Sequence, residues 1–337
     1  MWVLDELKLT KGSQKIIIII TTAAMIIRPN NRQVVTTLLK PLSTSLLWNL
    51  EQHRGYPTLR EIQTRLKSVR STQKITLSMK LVSAAKYARA ERELKNARPF
   101  GVGAQAFYEK AEIKIDDLEE QQQTPKDISK VIVAVTSDRG LCGGIHSGVG
   151  KAVRKYLENP VAGKELTRVF CVGDKSRSLL QRLYSENLLI TAKEIGRSSS
   201  DFSDGAAIAQ ALLNSGYNYD GGKIVYNKFN TAASYTCTSM PFYSMAVVGA
   251  APKLSLYDSL DPDVLQSYLE FSLAALMYYA LKENACSEQS SRMAAMDNSS
   301  KNAADMIEKL SVLFNRSRQA VITQELSEIV AGAAALT

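Results

Sequence analysis

Apolar and polar positions follow two different periods along this chain. Between Pro57 and Pro99 lie 41 residues with neither glycine nor proline, and between Pro262 and Gly332 lie 69. In both stretches residues recur at alternating spacings of three and four, which marks one face of a helix. The first seam reads Leu59, Ile62, Leu66, Val69, Gln73, Thr76, Lys80, Ser83, Tyr87, Ala90 and Leu94. The second reads Met293, Met296, Ser300, Ala303, Ile307, Leu310, Phe314, Ser317 and Val321. At ~1.5 Å per residue such helices run to ~60 and ~100 Å, beyond the usual helix of a compact domain, and predict a coiled coil or stalk. A dry zipper carries Leu, Ile or Val at nearly every seam position. Here Ser, Ala, Thr and Lys hold several, which predicts weak mutual packing and a need for outside contacts. With one helix at each end of the chain, the simplest pairing is antiparallel.

The middle alternates differently. Of the 18 glycines, 15 fall between Gly101 and Gly249. Val131–Val135 reads as a buried strand, followed by a glycine-rich loop and a helical stretch through Glu158. Arg168–Val172 with Ser176–Glu186, and Leu188–Ile195 with Ala206–Leu213, repeat the unit; Lys223–Phe229 and Tyr235–Thr238 read as further strands. Strand–helix alternation of this length predicts a mostly parallel α/β sheet. The expected division is a leader over 1–56, a shaft helix over 57–100, an α/β domain over 101–262 and a second shaft helix over 263–337.

Charge changes this picture in one place. The formal net charge is +9, with 42 Lys+Arg against 33 Asp+Glu, which raises nucleic acid or an anionic membrane as partner. The excess is local: residues 58–98 hold eleven bases and three acids, while 99–337 hold 24 bases and 27 acids. That basic helix has Tyr87 as its lone aromatic, so base stacking is not expected, and a face meeting an acidic protein fits as well. The leader has an apolar run at Ile16–Ile27, 12 residues and too short to span a bilayer. Read from Met25, it is rich in Arg, Ser and Thr with Glu51 as its single acid, the composition of an organelle transit peptide. A secretory signal and a plain tail are the competing readings.

Candidate chemistry is sparse. The loop Ser137-Asp138-Arg139-Gly140-Leu141-Cys142-Gly143-Gly144 follows a strand and opens a helix, where phosphates bind helix N-termini. It fits neither GxGxxG nor GxxxxGK[ST], and the favoured reading is a tight turn whose glycines let strand and helix approach. Cys142 beside Arg139 is a weak thiolate candidate and is read as buried and structural. His146 reads as structural, and Asp116–Glu120 as a solvated surface. With Cys142, Cys171, Cys237 and Cys286 scattered and only His53 and His146 available, neither a disulfide framework nor a His/Cys metal site has its raw material. After Arg318 there is no Lys or Arg, and the end is small or apolar, including Ile322, Leu326, Ile329, Val330 and Leu336. An exposed apolar tip of this kind predicts a covering protein.

Three stretches carry a resemblance: Thr58–Ala97 (TLREIQTRLKSVRSTQKITLSMKLVSAAKYARAERELKNA), Ser137–Gly143 (SDRGLCG) and Ser287–Leu336 (SEQSSRMAAMDNSSKNAADMIEKLSVLFNRSRQAVITQELSEIVAGAAAL). Together they resemble the gamma-subunit family of F-type ATP synthases, over about residues 57–337, and the wording AMDNSSKNA resembles its mitochondrial branch. The resemblance implies a shaft of two antiparallel helices with a Rossmann-like domain at its foot. It implies a place inside a head of alternating alpha and beta subunits, three each, with delta and epsilon subunits and a membrane ring of c subunits at the base. It implies no catalytic site, no cofactor and no metal in this chain, no nucleic-acid partner, and a location on the matrix side of the mitochondrial inner membrane. Arg318 and Gln319 match the pair that engages a beta subunit, and Met79 and Lys80 match a segment where shaft charge affects coupling. The region of Tyr257 and Asp258 is implied in contact with the ring. Two other classes remain open on the residues alone: a nucleotide-binding α/β enzyme using Gly140–Gly144, and a nucleic-acid-binding coiled coil.

Overall fold

Residues 18–19, 57–113, 129–158, 166–251, 253–254, 257 and 261–335 are described by the computed structural model. They divide into two compact units, one containing 18–19 and 79–296, the other 57–78 and 297–335.

The first unit is built on a six-stranded sheet. β1 (Ile18–Ile19), β2 (Ser129–Val135), β3 (Leu166–Val172), β4 (Leu188–Ala192), β5 (Gly221–Thr231) and β6 (Ser234–Tyr243) lie in the order β1-β4-β3-β2-β5-β6. β4, β3, β2 and β5 run parallel, while β1 on β4 and β6 on β5 are antiparallel. A β-branched run such as Val131–Val135 suits a strand buried on both faces, and all five of those residues are buried. Their side chains alternate as the pleat requires. Ile132 and Ala134 join Val149, Val153 and Leu180 under α2 (Ile145–Glu158) and α3 (Asp174–Tyr184). Val131, Val133 and Val135 join the larger core on the other face, with Ile208 and Leu212 of α4 (Phe202–Leu213). A short helix, α5 (Met245–Gly249), follows β6.

The remaining elements are α1 (Leu59–Lys110, 52 residues) and α6 (Pro262–Ala334, 73 residues). Thr58 and Glu61 form a capping box that starts α1: Thr58 N donates to Glu61 Oε2 at 3.1 Å and Glu61 N to Thr58 Oγ1 at 3.4 Å. Pro262 opens α6, at the position where a missing N–H costs nothing. α1 reaches further than its glycine and proline punctuation predicts, continuing through Pro99 and Gly101. Tertiary contact holds it: a Cβ on Gly101 would lie 2.4 Å from the Tyr279 ring, and Ala104 and Tyr108 belong to the core. Within this unit the two helices are antiparallel. Their contacts descend along α6 as they rise along α1, from Glu93–Lys282 through Phe100–Tyr278 to Phe107–Tyr268.

The seams hold as well. Every position of the first, from Leu59 to Leu94, is buried or half-buried, and so is every position of the second from Met293 to Ser317. Val321 is exposed. In the second unit the buried positions are Ile62, Thr76, Ser300 and Ala303 among the described residues, three of them small or polar.

Candidate functional site

The loop after β2 lies where the sheet's connections reverse direction, the position at which α/β proteins of this order hold nucleotides. Here the loop is bound to the segments that follow β3 and β4. Asp138 accepts hydrogen bonds from Asp174 N, the first residue of α3, and from Glu194 N, each at 2.6 Å. Thr136 Oγ1 donates to Val172 O (2.9 Å) and accepts from Ser176 N (3.0 Å). Asp138 N donates to Ile195 O at 3.1 Å and Lys175 N to Ser137 O at 3.3 Å. The ends of β2, β3 and β4 are thus tied together by one loop, and the carboxylate of Asp138 sits on the first amide of α3. Asp138, Arg139, Asp174, Lys193, Glu194 and Arg197 border an open depression of mixed charge.

Gly140 and Gly144 do not act as the sequence reading had it, whereas Gly143 does lie close to a helix, a Cβ there coming 3.3 Å from Ser291 Oγ on α6. A Cβ on Gly140 would come no nearer than 3.9 Å to any neighbour, and one on Gly144 would meet nothing. Closer approaches still are made around the loop by Gly173 and Gly196, at φ +94° and +86°. A Cβ on Gly173 would sit 2.8 Å from Ser137 N. Gly143, at φ +65°, is the one glycine of the loop in the left-handed region.

On its other side the loop is held by α6. Ser291 Oγ donates to Cys142 O at 2.6 Å, and Arg292 Nη2 to Gly140 O at 3.2 Å and to Glu288 Oε1 at 2.5 Å. Cys142 is buried, which pushes its thiol up to about 11, with Glu288 adding to the effect and Arg292 opposing it. That is the opposite of a reactive thiolate. His146 Nε2 donates to Arg139 O at 3.1 Å, so Nε2 carries the proton; Nδ1 is buried without a partner. Burial lowers the ring's affinity for a second proton and outweighs the pull of Glu288. The structural readings of Cys142 and His146 therefore stand.

The residues matched to partner contacts fall elsewhere. Arg318 and Gln319 are exposed on α6, as are Ile322, Leu326, Ile329 and Val330, the last two at 69% and 61%. Met79 and Lys80 are half-buried on α1 and belong to the other unit, as does Tyr257, which packs on Phe107 with ring centroids 5.9 Å apart. Leu336 and Asp258 lie outside the described residues. Sequence reasoning missed two ionic junctions, Glu93–Lys282 and Arg98–Glu283, because their partners are far apart in the chain. Among the described residues there is no cluster of three metal-ligating side chains and no helix long and apolar enough to cross a membrane.

The class this defines is a helical-stalk component: an α/β body whose loop after β2 is tied to α3 and α6, and whose first and last helices carry seams that mix apolar with small and polar residues. A family model described as ATP synthase matches residues 58–336. The chain is 57% identical to the mitochondrial ATP synthase subunit gamma of Drosophila melanogaster, over 90% of this chain and 98% of that one. It is 51% identical to the mitochondrial F(1) complex gamma subunit of Rattus norvegicus, over 83% and 99%. Among solved structures, a central-stalk and c-ring chain of the Tetrahymena thermophila mitochondrial ATP synthase is 30% identical with TM-score 0.56, covering 66% of this chain and 98% of that chain. A chain of the Euglena gracilis enzyme, 18% identical with TM-score 0.66 over 82% and 94%, shares the fold. The chain belongs to the gamma-subunit family of mitochondrial ATP synthase.

Proposed function

We propose that this chain is the central rotor shaft of a mitochondrial ATP synthase, seated on the matrix side of the inner membrane and coupling the turning of a c-ring to catalysis in surrounding beta subunits. The observation that carries this is the run 318–335, every residue of it exposed, in a chain whose relatives are central-stalk subunits. An uncovered helix of this composition calls for a surrounding protein collar. Beyond Arg318 the run holds no Lys or Arg, and its charged side chains are Glu325 and Glu328. Arg318 and Gln319 would engage a beta subunit through charge-assisted hydrogen bonds, and the basic stretch 58–98, with Met79 and Lys80, would face acidic loops of the head. Tyr257 and Asp258 would lie toward the ring, beside the delta and epsilon subunits.

The chain then acts without a catalytic site of its own. Contacts that differ between beta conformations shift the balance among them, whereas a contact equal in all of them shifts nothing. The relationship to gamma subunits over residues 58–336 supports this over a nucleotide-binding enzyme. Purification tests the reading. One copy of the chain is expected with three alpha and three beta subunits; a stable lone monomer that binds nucleotide would overturn it. Residues 1–56 would be a transit peptide removed on import, and an intact Met1 at the mature N-terminus would rule that out.

A further inference from the structure

Lys282 and Glu283 are consecutive on α6 and almost fully withdrawn from water, their side chains 5% and 0% exposed. Each is held by a different set of partners. Lys282 Nζ donates to Glu93 Oε2 on α1 at 2.8 Å and to Ser199 Oγ at 3.0 Å, and the Ser199 hydroxyl donates in turn to Glu93. Glu283 Oε1 accepts from Arg98 Nε on α1 at 3.2 Å, and Oε2 from Phe229 N on β5 at 2.7 Å. Arg98 Nη2 closes the second ring on Phe229 O at 3.2 Å. Two junctions, about 100° apart around the helix, therefore tie α6 both to α1 and to the sheet.

Apolar packing surrounds these junctions, but it has no direction and tolerates small slides. A hydrogen-bonded buried charge is fixed in distance and angle, and separating it strands a desolvated ion. We propose that Glu93–Lys282 and Arg98–Glu283 are positioning residues that lock the rotation and axial register of α6 and α1 on the α/β body, so that torque passes into the helices without slip. This rests on the rotor reading.

The test removes both charges of a junction while keeping side-chain volume: Glu93→Gln with Lys282→Met, and separately Arg98→Met with Glu283→Gln. Such paired replacements leave no unpaired buried ion, so folding is retained. Each is placed in the complete complex in sealed vesicles, and ATP hydrolysis and ATP-driven proton uptake are measured together, with and without an opposing proton gradient. Hydrolysis is expected within about twofold of the unsubstituted complex, with protons moved per ATP lowered about threefold against the gradient and less without it. An unchanged ratio under load, or hydrolysis and uptake falling by one common factor, would overturn the lock. Should a double variant not assemble, Ser199→Ala removes only the bridging hydroxyl and carries the same test. The unsubstituted complex separates the two ideas: no ATP-driven uptake there defeats the rotor reading, whereas uptake there with fully coupled variants defeats only the lock.

Discussion

A single carboxylate, Asp138, holds together the ends of three strands, and its effect is best judged by what its loss would expose. Two backbone amides, Asp174 N and Glu194 N, would lose a charged acceptor at 2.6 Å. Hydrogen bonds to charged groups contribute about 1.5–3 kcal/mol each, and the two share one carboxylate, so Asp138→Ala should cost roughly 2–4 kcal/mol. Calorimetry of the assembled protein should show a clear fall in its melting temperature, with Asp138→Asn intermediate; no fall would show that the loop is held otherwise. The loop stood out in the sequence, but its glycines drew the reading. The partners of Asp138 lie 36 and 56 residues away, so no local spacing exposes them.

His146 gives a pH prediction from the same site. Its ring is neutral, with burial the main cause; Glu288 and the hydrogen bond to Arg139 O oppose it, while the charges of Arg292 and Lys175 act with burial. The unfolded ring titrates near ~6.5 and the folded one lower, so its contribution is intact above that value and is lost as pH falls through it. Unfolding at pH 7.5 and 5.5 should show a loss in the unsubstituted protein that His146→Gln reduces. Glu93 acts at a lower pH. Partial burial raises its pKa, but hydrogen bonds from Lys282, Ser199 and Arg89, with the Lys282 charge, bring it down to about 2. Its contribution is present above ~4.5 and fades toward about 2.

At the scale of elements, the helices were legible because their signal is local. Three-four spacing names the same face wherever it occurs, and the seam positions are the ones the structure withdraws from water. The strands were legible for the same reason, though most extend a residue or more beyond their apolar cores, as β2 does from Val131 back to Ser129. The end of α1 was not legible. Pro99 and Gly101 read as a stop, yet the close approach of Gly101 to Tyr279 makes glycine a packing requirement there. Small seam residues carry their own prediction. Ser300→Leu or Ala303→Leu overfills a buried position and should destabilise by about 1–3 kcal/mol in denaturation of the assembled protein. Ile329→Ser, at an exposed position, should change the chain's own stability by less than about 0.5 kcal/mol. It should instead loosen the alpha–beta head, seen as easier dissociation of the complex on dilution. Equal effects of the two substitutions would mean that the tip is not a bearing surface.

For the molecule as a whole, patterning alone left a stalk, an enzyme and a nucleic-acid binder open, and the relationship over residues 58–336 narrowed them to one. The physical account then explains where the +9 formal charge goes. It is concentrated on residues 58–98 of one helix, while the rest of the chain beyond it is slightly acidic. The most direct test attaches a visible probe to this chain in a complex immobilised through its head, and supplies ATP. The account predicts stepwise rotation in one direction, with a dwell for each catalytic subunit. A probe that stays still, or turns at random, while the same complexes hydrolyse ATP would contradict it.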